Sequence, residues 1–199
     1  RGRVPAAPLV PEGPNIQENA GKAAPVSTYE DLLRNAHDEA LFEYYFTSQL
    51  AFVDAVSGVR TPVGKPAIFD EAVASPNGAY LLVARVKRPY SRLLPVDGFA
   101  KVIEVWDRSG RVSRTIADLP VAENVPMLGV PTGPRACEWN PAEPATLTWA
   151  EALDGGDLRN KADARDKVVA LKAPFAVEPT ELIRLRERFQ GIDWTEKGI

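Results

Sequence analysis

The most informative segment of the sequence is Ala74-Ser75-Pro76-Asn77-Gly78-Ala79-Tyr80-Leu81-Leu82-Val83-Ala84-Arg85. Pro76 presets φ for a tight turn, and Asn77 and Gly78 accept positive φ at little cost. An apolar run rich in strand-forming residues leaves the turn at once, so the segment predicts a β-hairpin.

The same pattern, a turn followed by an apolar run, recurs along the chain. A weaker copy begins at Trp139-Asn140-Pro141, and a third begins at Trp194-Thr195 with the chain ending inside it. The spacing is about 55–65 residues, longer than the ~40–50 of simple propeller repeats, and it fits blades that carry insertions.

Alternating apolar residues predict five hairpins in all, including those of the first two copies. The expected strand pairs are 50–54 with 59–62, 68–74 with 79–86, 101–107 with 111–116, 135–139 with 145–151, and 168–171 with 181–185. Residues 63–66 are expected to link two hairpins. This order favours an all-β fold, a partial β-propeller of about two to three four-stranded antiparallel blades. An immunoglobulin-like sandwich would not explain why the turn pattern recurs.

The N-terminal part has a different composition. Five prolines in residues 1–26 predict an extended arm. Ser27-Thr28-Tyr29-Glu30 is a capping box, and apolar spacing predicts a helical hairpin or one broken helix over 28–46, with a break at 35–38. We therefore expect an arm plus helical insert over 1–48 and propeller blades over 49–199.

Composition excludes several classes of function. A net charge of −3 favours neither nucleic acid nor an anionic membrane, and no apolar run approaches a membrane span. The lone Cys137 excludes a disulfide framework and a multi-cysteine metal site, and we interpret it as a small buried residue. Because the chain begins at Arg1 and its one methionine is Met127, we expect a processed chain or a fragment.

The propeller topology predicts two unlike faces. In a four-stranded blade, the first and third turns lie on one face, and these turns are tight at 57–58, 76–78 and 109–110. The long segments 1–48, 87–100, 120–135 and 152–165 all fall on the other face. Long loops on a rigid scaffold are where recognition usually resides.

These long segments carry a family resemblance. Residues 28–33, 37–45 and 48–50, together with Arg88-Pro89-Tyr90-Ser91, Val130-Pro131-Thr132-Gly133-Pro134-Arg135 and 151–157, resemble one branch of the prolyl oligopeptidase family, the glutamyl endopeptidases. The segments 75–83 and 105–110 also match this branch. The resemblance implies a serine peptidase in which an N-terminal propeller covers a C-terminal α/β-hydrolase domain that carries a Ser-Asp-His triad. It also implies cleavage after Glu and a secreted, periplasmic or organellar location rather than a cytoplasmic one.

We predict no catalytic residue, no cofactor and no metal site within this chain. It contains no Gly-x-Ser-x-Gly motif, and its single histidine, His37, is interpreted as a capping or surface residue. Carboxylates at Glu151, Asp154 and Asp157 lack the order of a calcium loop and are interpreted as a polar turn.

A peptidase that selects Glu needs a cation beside the substrate carboxylate. The candidates on the face that carries the long segments are Arg88, Arg92 and Arg135, with Tyr90 as a hydrogen-bond donor. The alternative for each is a solvated surface charge or an interdomain contact.

Two functions remain open from the sequence. In the first, the chain gates substrate access to the hydrolase domain and contacts the peptide substrate. In the second, it is a protein-binding propeller with no peptidase activity. In either case, an incomplete ring leaves open sheet edges, so we expect the fragment either to be marginally stable alone or to associate edge to edge with another copy.

Overall fold

The computed structural model describes residues 2–8 and 29–195. In this part of the chain, the regular elements are one α-helix, a short 3-10 turn at Val96–Gly98 and nine strands. Most of the predicted arm, the first half of the predicted capping box and the last residues of the third repeat copy lie outside the described residues. The elements in chain order are α1 (Ala36–Phe46), β1 (Thr47–Val53), β2 (Arg60–Ala74), β3 (Tyr80–Val86), β4 (Lys101–Asp107), β5 (Val112–Leu119), β6 (Arg135–Trp139), β7 (Thr146–Ala152), β8 (Asp166–Lys172) and β9 (Thr180–Leu185).

The strands form two antiparallel sheets, ordered β1-β2-β3-β4-β5 and β6-β7-β8-β9. Within each sheet, every strand pairs with its neighbours in sequence, so the all-β class and every predicted hairpin are confirmed. The opening segment forms the β2–β3 hairpin, in which Asn77 Oδ1 accepts a hydrogen bond of 3.0 Å from the Ala79 N–H and Gly78 has φ 65°. The first sheet has five strands, where four-stranded units were expected.

The fifth strand arises because residues 63–66 do not form a separate link. They belong to β2, which pairs with β1 up to Ile68 and with β3 from Ile68 onward. The extra residues between Val63 and Ala67 are absorbed as an irregularity opposite Ser48–Leu50, so the ladder continues past Pro66.

The first half of β2 lies over the outer face of the sheet that its second half joins. Gly64 has φ 64°, and a Cβ atom built on it would lie 2.5 Å from Cζ3 of Trp106 on β4. Since β4 is two strands away from β2 in the sheet, this contact requires β2 to bend out of the sheet plane. The position accepts only glycine, because it needs both a left-handed backbone and close approach to an indole ring.

The main hydrophobic core lies between the two sheets. Because successive side chains of β3 point to opposite faces of the sheet, Leu82 and Ala84 lie in this core. Leu81 and Val83 pack against Val63 and Trp106 on the outer side. The second sheet contributes Trp139, Leu147, Trp149, Val169 and Leu171, and Phe175 after β8 packs edge-on against Tyr80 with ring centroids 4.9 Å apart. Each fully buried side chain of this size stabilises the fold by roughly 1.5–3 kcal/mol.

The helix is shorter than the sequence predicts. Only the second half of the expected helical segment is helical, and Asn35 caps it by accepting a hydrogen bond of 2.9 Å from the Asp38 N–H. Asp31 has φ 56°, which is incompatible with a helix running through it. Asp38 and Glu39 occupy the first turn, as expected from the helix dipole.

Two indole groups connect successive copies of the repeated pattern. Trp139, at the end of β6, donates to the Val73 carbonyl oxygen of β2 at 3.0 Å. Trp194, 55 residues later, donates to Oε1 of Glu138 on β6 at 3.1 Å. Trp139 and Trp194 begin the second and third copies of the pattern. Each therefore contacts the first strand of the preceding hairpin, β2 for Trp139 and β6 for Trp194.

Candidate functional site

The long loops gather at one end of the molecule. At the opposite end, the β2–β3 turn contacts the β6–β7 turn, where the Asn77 N–H donates to the Pro144 carbonyl oxygen at 3.0 Å. At the loop end, the Ala122 N–H donates to Gly98 O and the Val130 N–H donates to Gly156 O, both at 2.9 Å. These bonds connect the loops after β3, β5 and β7 into one surface, which we call the loop face (residues 87–100, 120–134 and 153–165).

The loop after β3 is held firmly by its own hydrogen bonds. Ser91 is fully buried, and its Oγ donates to Glu123 Oε1 at 2.6 Å. The same oxygen accepts from the Leu93 and Leu94 N–H groups at 2.9 and 3.0 Å. This turn fixes the backbone between the predicted substrate-binding residues Arg88, Tyr90 and Arg92.

Those three residues come together against helix α1. Arg88 donates from Nη1 to Glu39 Oε2 at 2.6 Å and from Nε to Glu43 Oε1 at 2.8 Å. Tyr90 donates its hydroxyl to Glu43 Oε1 at 2.8 Å, and Arg92 donates from Nη2 to Glu39 Oε1 at 3.1 Å. We call these five residues the helix clamp.

The helix clamp is electrically balanced, because two guanidinium groups face two carboxylates. Hydrogen bonding from Arg88 holds the pKa of the Glu43 carboxyl below its usual value. Burial, together with the hydrogen bond to Glu43, raises the pKa of Tyr90. The arginine side chains nevertheless stay partly open to solvent, 53% for Arg88 and 40% for Arg92. The predicted cations are thus paired within the chain but remain reachable from outside.

An apolar groove of about 910 Å³ runs beside the clamp, between α1 and the loop after β3. Phe42 forms its floor, with ring centroids 5.2 Å from Tyr90 and 5.7 Å from Phe99. Tyr45 and Phe46 line the groove and are 54% and 62% exposed. The groove gives this end of the molecule an apolar surface next to two cations.

Arg135 lies apart from the other three candidates. It begins β6 in the second sheet and donates from Nη2 to Asp166 Oδ2 at the start of β8. Arg188, after β9, bridges this carboxylate to Asp154, with Nη1 2.9 Å from Asp166 Oδ1 and Nη2 2.6 Å from Asp154 Oδ2. Arg165 Nη1 donates to the same Asp154 oxygen at 2.9 Å. We call these three arginines and two aspartates the ion cluster.

Both carboxylates of the ion cluster are completely buried. Burial alone would raise the pKa of Asp154, but hydrogen bonds from Arg188 and Arg165 outweigh it and hold that pKa below its usual value. The cluster joins the loops at the end of β7, the start of β8 and the end of β9. It is therefore part of the framework under the loop face.

The sequence predicts both cations of the helix clamp but only Arg135 of the three in the ion cluster, and it does not predict how any of them is paired. The Glu39–Glu43 pair has helical spacing, a signal that could have suggested one acidic helix face. Nothing in the sequence marks Arg188 or Asp166, because the cluster depends on strand ends that are 20–50 residues apart.

Each carboxylate of the predicted polar turn around Gly155-Gly156 pairs with a cationic side chain. Asp154 belongs to the ion cluster, Asp157 pairs with Arg159 at 2.7 Å, and Glu151 pairs with Lys167 at 2.9 Å. Across the described part of the chain, no three His, Cys, Asp or Glu side chains are grouped closely enough to hold a metal ion. No helix among the described residues is both long and apolar enough to cross a membrane.

The two potentially reactive side chains lie outside both groups. Cys137 on β6 packs beside the main core, and burial raises the pKa of its thiol to about 12, so the reactive thiolate is not formed at neutral pH. His37 lies in the first turn of α1 and is partly exposed.

Two curated proteins are similar to this chain over its whole length. One, from Oryza sativa subsp. japonica, is 37% identical over 204 aligned residues, and one from Arabidopsis thaliana is 40% identical over 204. Both are named "Probable glutamyl endopeptidase, chloroplastic". The chain spans 22% of the first protein and 21% of the second, or about a fifth of each.

No protein-family profile and no solved structure matches the chain. The relationship to known proteins rests on the two curated relatives. At 37–40% identity across all of its residues, the chain is similar to a part of two proteins named glutamyl endopeptidase.

Proposed function

We propose that the chain is part of the β-propeller of a serine peptidase that cleaves after glutamate. The observation that carries the proposal is the 37–40% identity to two proteins named glutamyl endopeptidase. In this proposal the Ser-Asp-His triad belongs to an α/β-hydrolase domain elsewhere in the longer protein, and this chain performs no chemistry itself. By the names of its relatives, the protein would act in an organelle.

The packing of the sheets supports a propeller. The second sheet covers one face of the first, and the β1–β2 ribbon covers the other. Trp139 and Trp194 make similar contacts to the preceding unit. In a propeller, similar sheets pack face to face around an axis. The tight turns then lie on one face of the ring and the long loops on the other.

The loop face is the surface we assign to substrate access and to contact with the hydrolase domain. It carries the apolar groove and the partly exposed Arg88 and Arg92. In a serine peptidase, excluding oversized substrates requires a cover near the active site. Helix α1, tied down by the helix clamp, would form part of that cover.

Paired peptides test the proposed specificity on the full-length protein. We expect kcat/KM for a peptide with Glu before the scissile bond to exceed that for the matching Gln peptide by roughly 100-fold or more, because a site built for a carboxylate loses charge-assisted bonds to an amide. Equal cleavage of the two peptides would contradict the proposal. Absence of peptidase activity would favour the protein-binding scaffold instead.

The Arg92→Gln variant tests whether the helix clamp also contacts substrate. If Arg92 binds the substrate carboxylate, KM for the Glu peptide rises about tenfold, equivalent to about 1.4 kcal/mol, while KM for the Gln peptide stays constant. The matched control is Arg159→Gln, because Arg159 is an exposed arginine paired with Asp157 on the same face. Equal KM changes for both peptides would assign Arg92 to anchoring the helix only.

A further inference from the structure

The carboxylate of Glu39 is held between two arginines of the loop after β3. Arg88 donates from Nη1 to Oε2 at 2.6 Å, and Arg92 donates to Oε1 from Nη2 at 3.1 Å and from Nε at 3.3 Å. Each oxygen therefore has its own guanidinium group, and the Glu39 side chain is only 13% exposed. Arginines that hold a carboxylate in this way form a strong and geometrically specific site for that group.

The arginine side of this site is fixed by its own loop and not by the helix. Ser91 Oγ accepts hydrogen bonds of 2.9 and 3.0 Å from the two backbone N–H groups that follow Arg92. The Arg88 guanidinium lies 4.9 Å from the centroid of the Tyr90 ring, and this ring stacks on Phe99 with centroids 5.4 Å apart. The two cations therefore keep their positions when Glu39 leaves.

The helix side of the site is held weakly and is accessible. No residue of α1 is buried, and ion pairs between partly exposed side chains contribute little to stability. Arg88 is 53% exposed and Arg92 is 40% exposed, and Arg92 also lines the apolar groove of about 910 Å³. A carboxylate in the groove therefore reaches Arg92 directly and can exchange with Glu39 at a small cost.

Displacement of Glu39 leaves a site that one external carboxylate completes. Glu43 stays hydrogen-bonded to Arg88 at 2.8 Å, so two guanidinium groups then face one carboxylate with a formal charge of +1. Among the described residues, Arg92 donates hydrogen bonds to Glu39 only, so it is the arginine that loses its partner. A monovalent carboxylate restores the charge and the hydrogen bonds. A glutamine amide does not, because its NH₂ group would face the guanidinium donors.

We propose that Arg88 and Arg92 form a binding site for the side-chain carboxylate of a substrate glutamate, and that Glu39 occupies this site until the substrate displaces it. The inference rests on the proposed function, because it takes glutamate as the residue that the enzyme selects. Glu39 carries the same side chain and so acts as an internal competitor. Its displacement also removes an ionic contact of α1, so substrate binding loosens this part of the cover.

The Glu39→Gln variant tests the competition in the full-length protein. Loss of the internal carboxylate should lower KM about fivefold for a peptide with Glu before the scissile bond and should leave KM for the matching Gln peptide unchanged. Asp38→Asn is the matched control, because it removes a carboxylate from the same turn that pairs with Arg34 and not with Arg88 or Arg92. It should change neither KM. An unchanged KM for the Glu peptide in Glu39→Gln, or an equal fall for both peptides, would contradict the proposal.

Hydrogen exchange in α1 tests the site without relying on peptidase activity. Propionate carries the carboxylate of a glutamate side chain, and propionamide is its neutral counterpart. We expect sodium propionate to accelerate amide exchange in residues 36–46 of the full-length protein saturably, by roughly fivefold, because displacement of Glu39 loosens the helix. Propionamide should have no effect. No response to propionate, or an equal response to sodium chloride at matched ionic strength, would overturn the proposal.

The two experiments separate failure of this inference from failure of the proposed function. A protein that prefers the Glu peptide but responds neither to propionate nor to Glu39→Gln would retain the proposed function and reject the inference. A protein that responds to propionate but cleaves both peptides equally would retain Glu39 in a carboxylate site and reject the glutamate specificity.

Discussion

Asp166 shows how much of the fold depends on one buried carboxylate. Its side chain is fully buried and accepts hydrogen bonds from Arg135, Arg188 and the Phe189 backbone. These donors come from the start of β6 and from the segment after β9, the two edges of the second sheet. Loss of the charge would leave two buried guanidinium groups facing a neutral group.

We predict that Asp166→Asn lowers the free energy of unfolding by about 3–5 kcal/mol, the usual cost of breaking a buried ion pair from one side. Urea unfolding of the full-length protein measures the change. Glu181→Gln is the control, because it alters an exposed pair with Arg184 on the same sheet and should leave stability unchanged. Equal effects of the two substitutions would contradict a structural role for the ion cluster.

Asp107 should make stability depend on pH. Hydrogen bonds from Ser109 and from Arg111 in the β4–β5 turn lower its pKa to about 2 from an ordinary 3.8. A carboxyl with a lowered pKa in the folded state stabilises the fold above its unfolded pKa and loses that contribution as the pH falls through its folded pKa. The stabilisation is therefore complete above about pH 4 and disappears toward about pH 2.

The wild-type protein and Asp107→Asn test this in urea at a series of pH values. The difference between their unfolding midpoints should be constant from pH 7 to 5 and should shrink below about pH 4. A difference that does not change with pH would show that the carboxylate charge has no part in stabilising the turn.

At the scale of single elements, β2 depends on a bend that only glycine permits. Gly64 combines φ 64° with close contact to Trp106. We predict that Gly64→Ala costs roughly 2–5 kcal/mol, the sum of a left-handed alanine and an overpacked contact. Gly58→Ala is a matched control, since Gly58 has φ 70° but nothing within 4 Å of a built Cβ, and strain alone should cost roughly 1–2 kcal/mol. Chemical denaturation measures both, and equal losses would contradict the bend against Trp106.

Helix α1 should depend on Phe42 for its attachment to the loop face. Phe42 contacts both Tyr90 and Phe99, whereas Phe46, one turn later, is 62% exposed. We predict that Phe42→Ala increases the rate of proteolysis within residues 36–46 about tenfold or more, because the helix loses its main apolar contact. Phe46→Ala should change the rate much less. Equal rates in the two variants would show that the helix clamp alone holds the helix.

Local patterns predicted the hairpins well because strand alternation and turn residues are encoded by neighbours in sequence. The β4–β5 pair follows directly from alternation around Ser109-Gly110. The continuity of β2 does not follow from local sequence, because Pro62, Gly64 and Pro66 are local strand breakers. Pairing with β1 on both sides of Gly64 and Pro66, at Val63 and at Ala67, keeps the strand continuous. The short helix has a similar cause, since the left-handed Asp31 opposes a favourable apolar spacing.

The candidate site was predictable only in part. Arg88, Tyr90 and Arg92 share one short loop, so sequence placed them together, and the structure does the same. The sequence predicts Arg135 on the same face as these three, at the end of segment 120–135, but Arg135 begins β6 and contacts Asp166 in the second sheet. Partners such as Arg188 come from distant strand ends, and their meeting is decided by sheet register.

At the scale of the whole molecule, the proposed propeller makes the two sheets successive units of a larger ring. In that proposal, the β1–β2 ribbon on the outer side of the first sheet and Trp194, which contacts Glu138 of the second, mark the junctions with neighbouring units. The chain spans about a fifth of each relative, so in the proposed ring the remaining units would lie outside this segment.

A cryo-electron microscopy structure of the full-length protein tests the ring most directly. We predict a third sheet that begins near Trp194 and stacks on the outer face of β6–β9, related to it as β6–β9 is related to β2–β5, with further sheets closing a ring. A structure in which the face of β6–β9 beyond Trp194 is open to solvent, or in which the two sheets form a complete sandwich, would contradict the propeller.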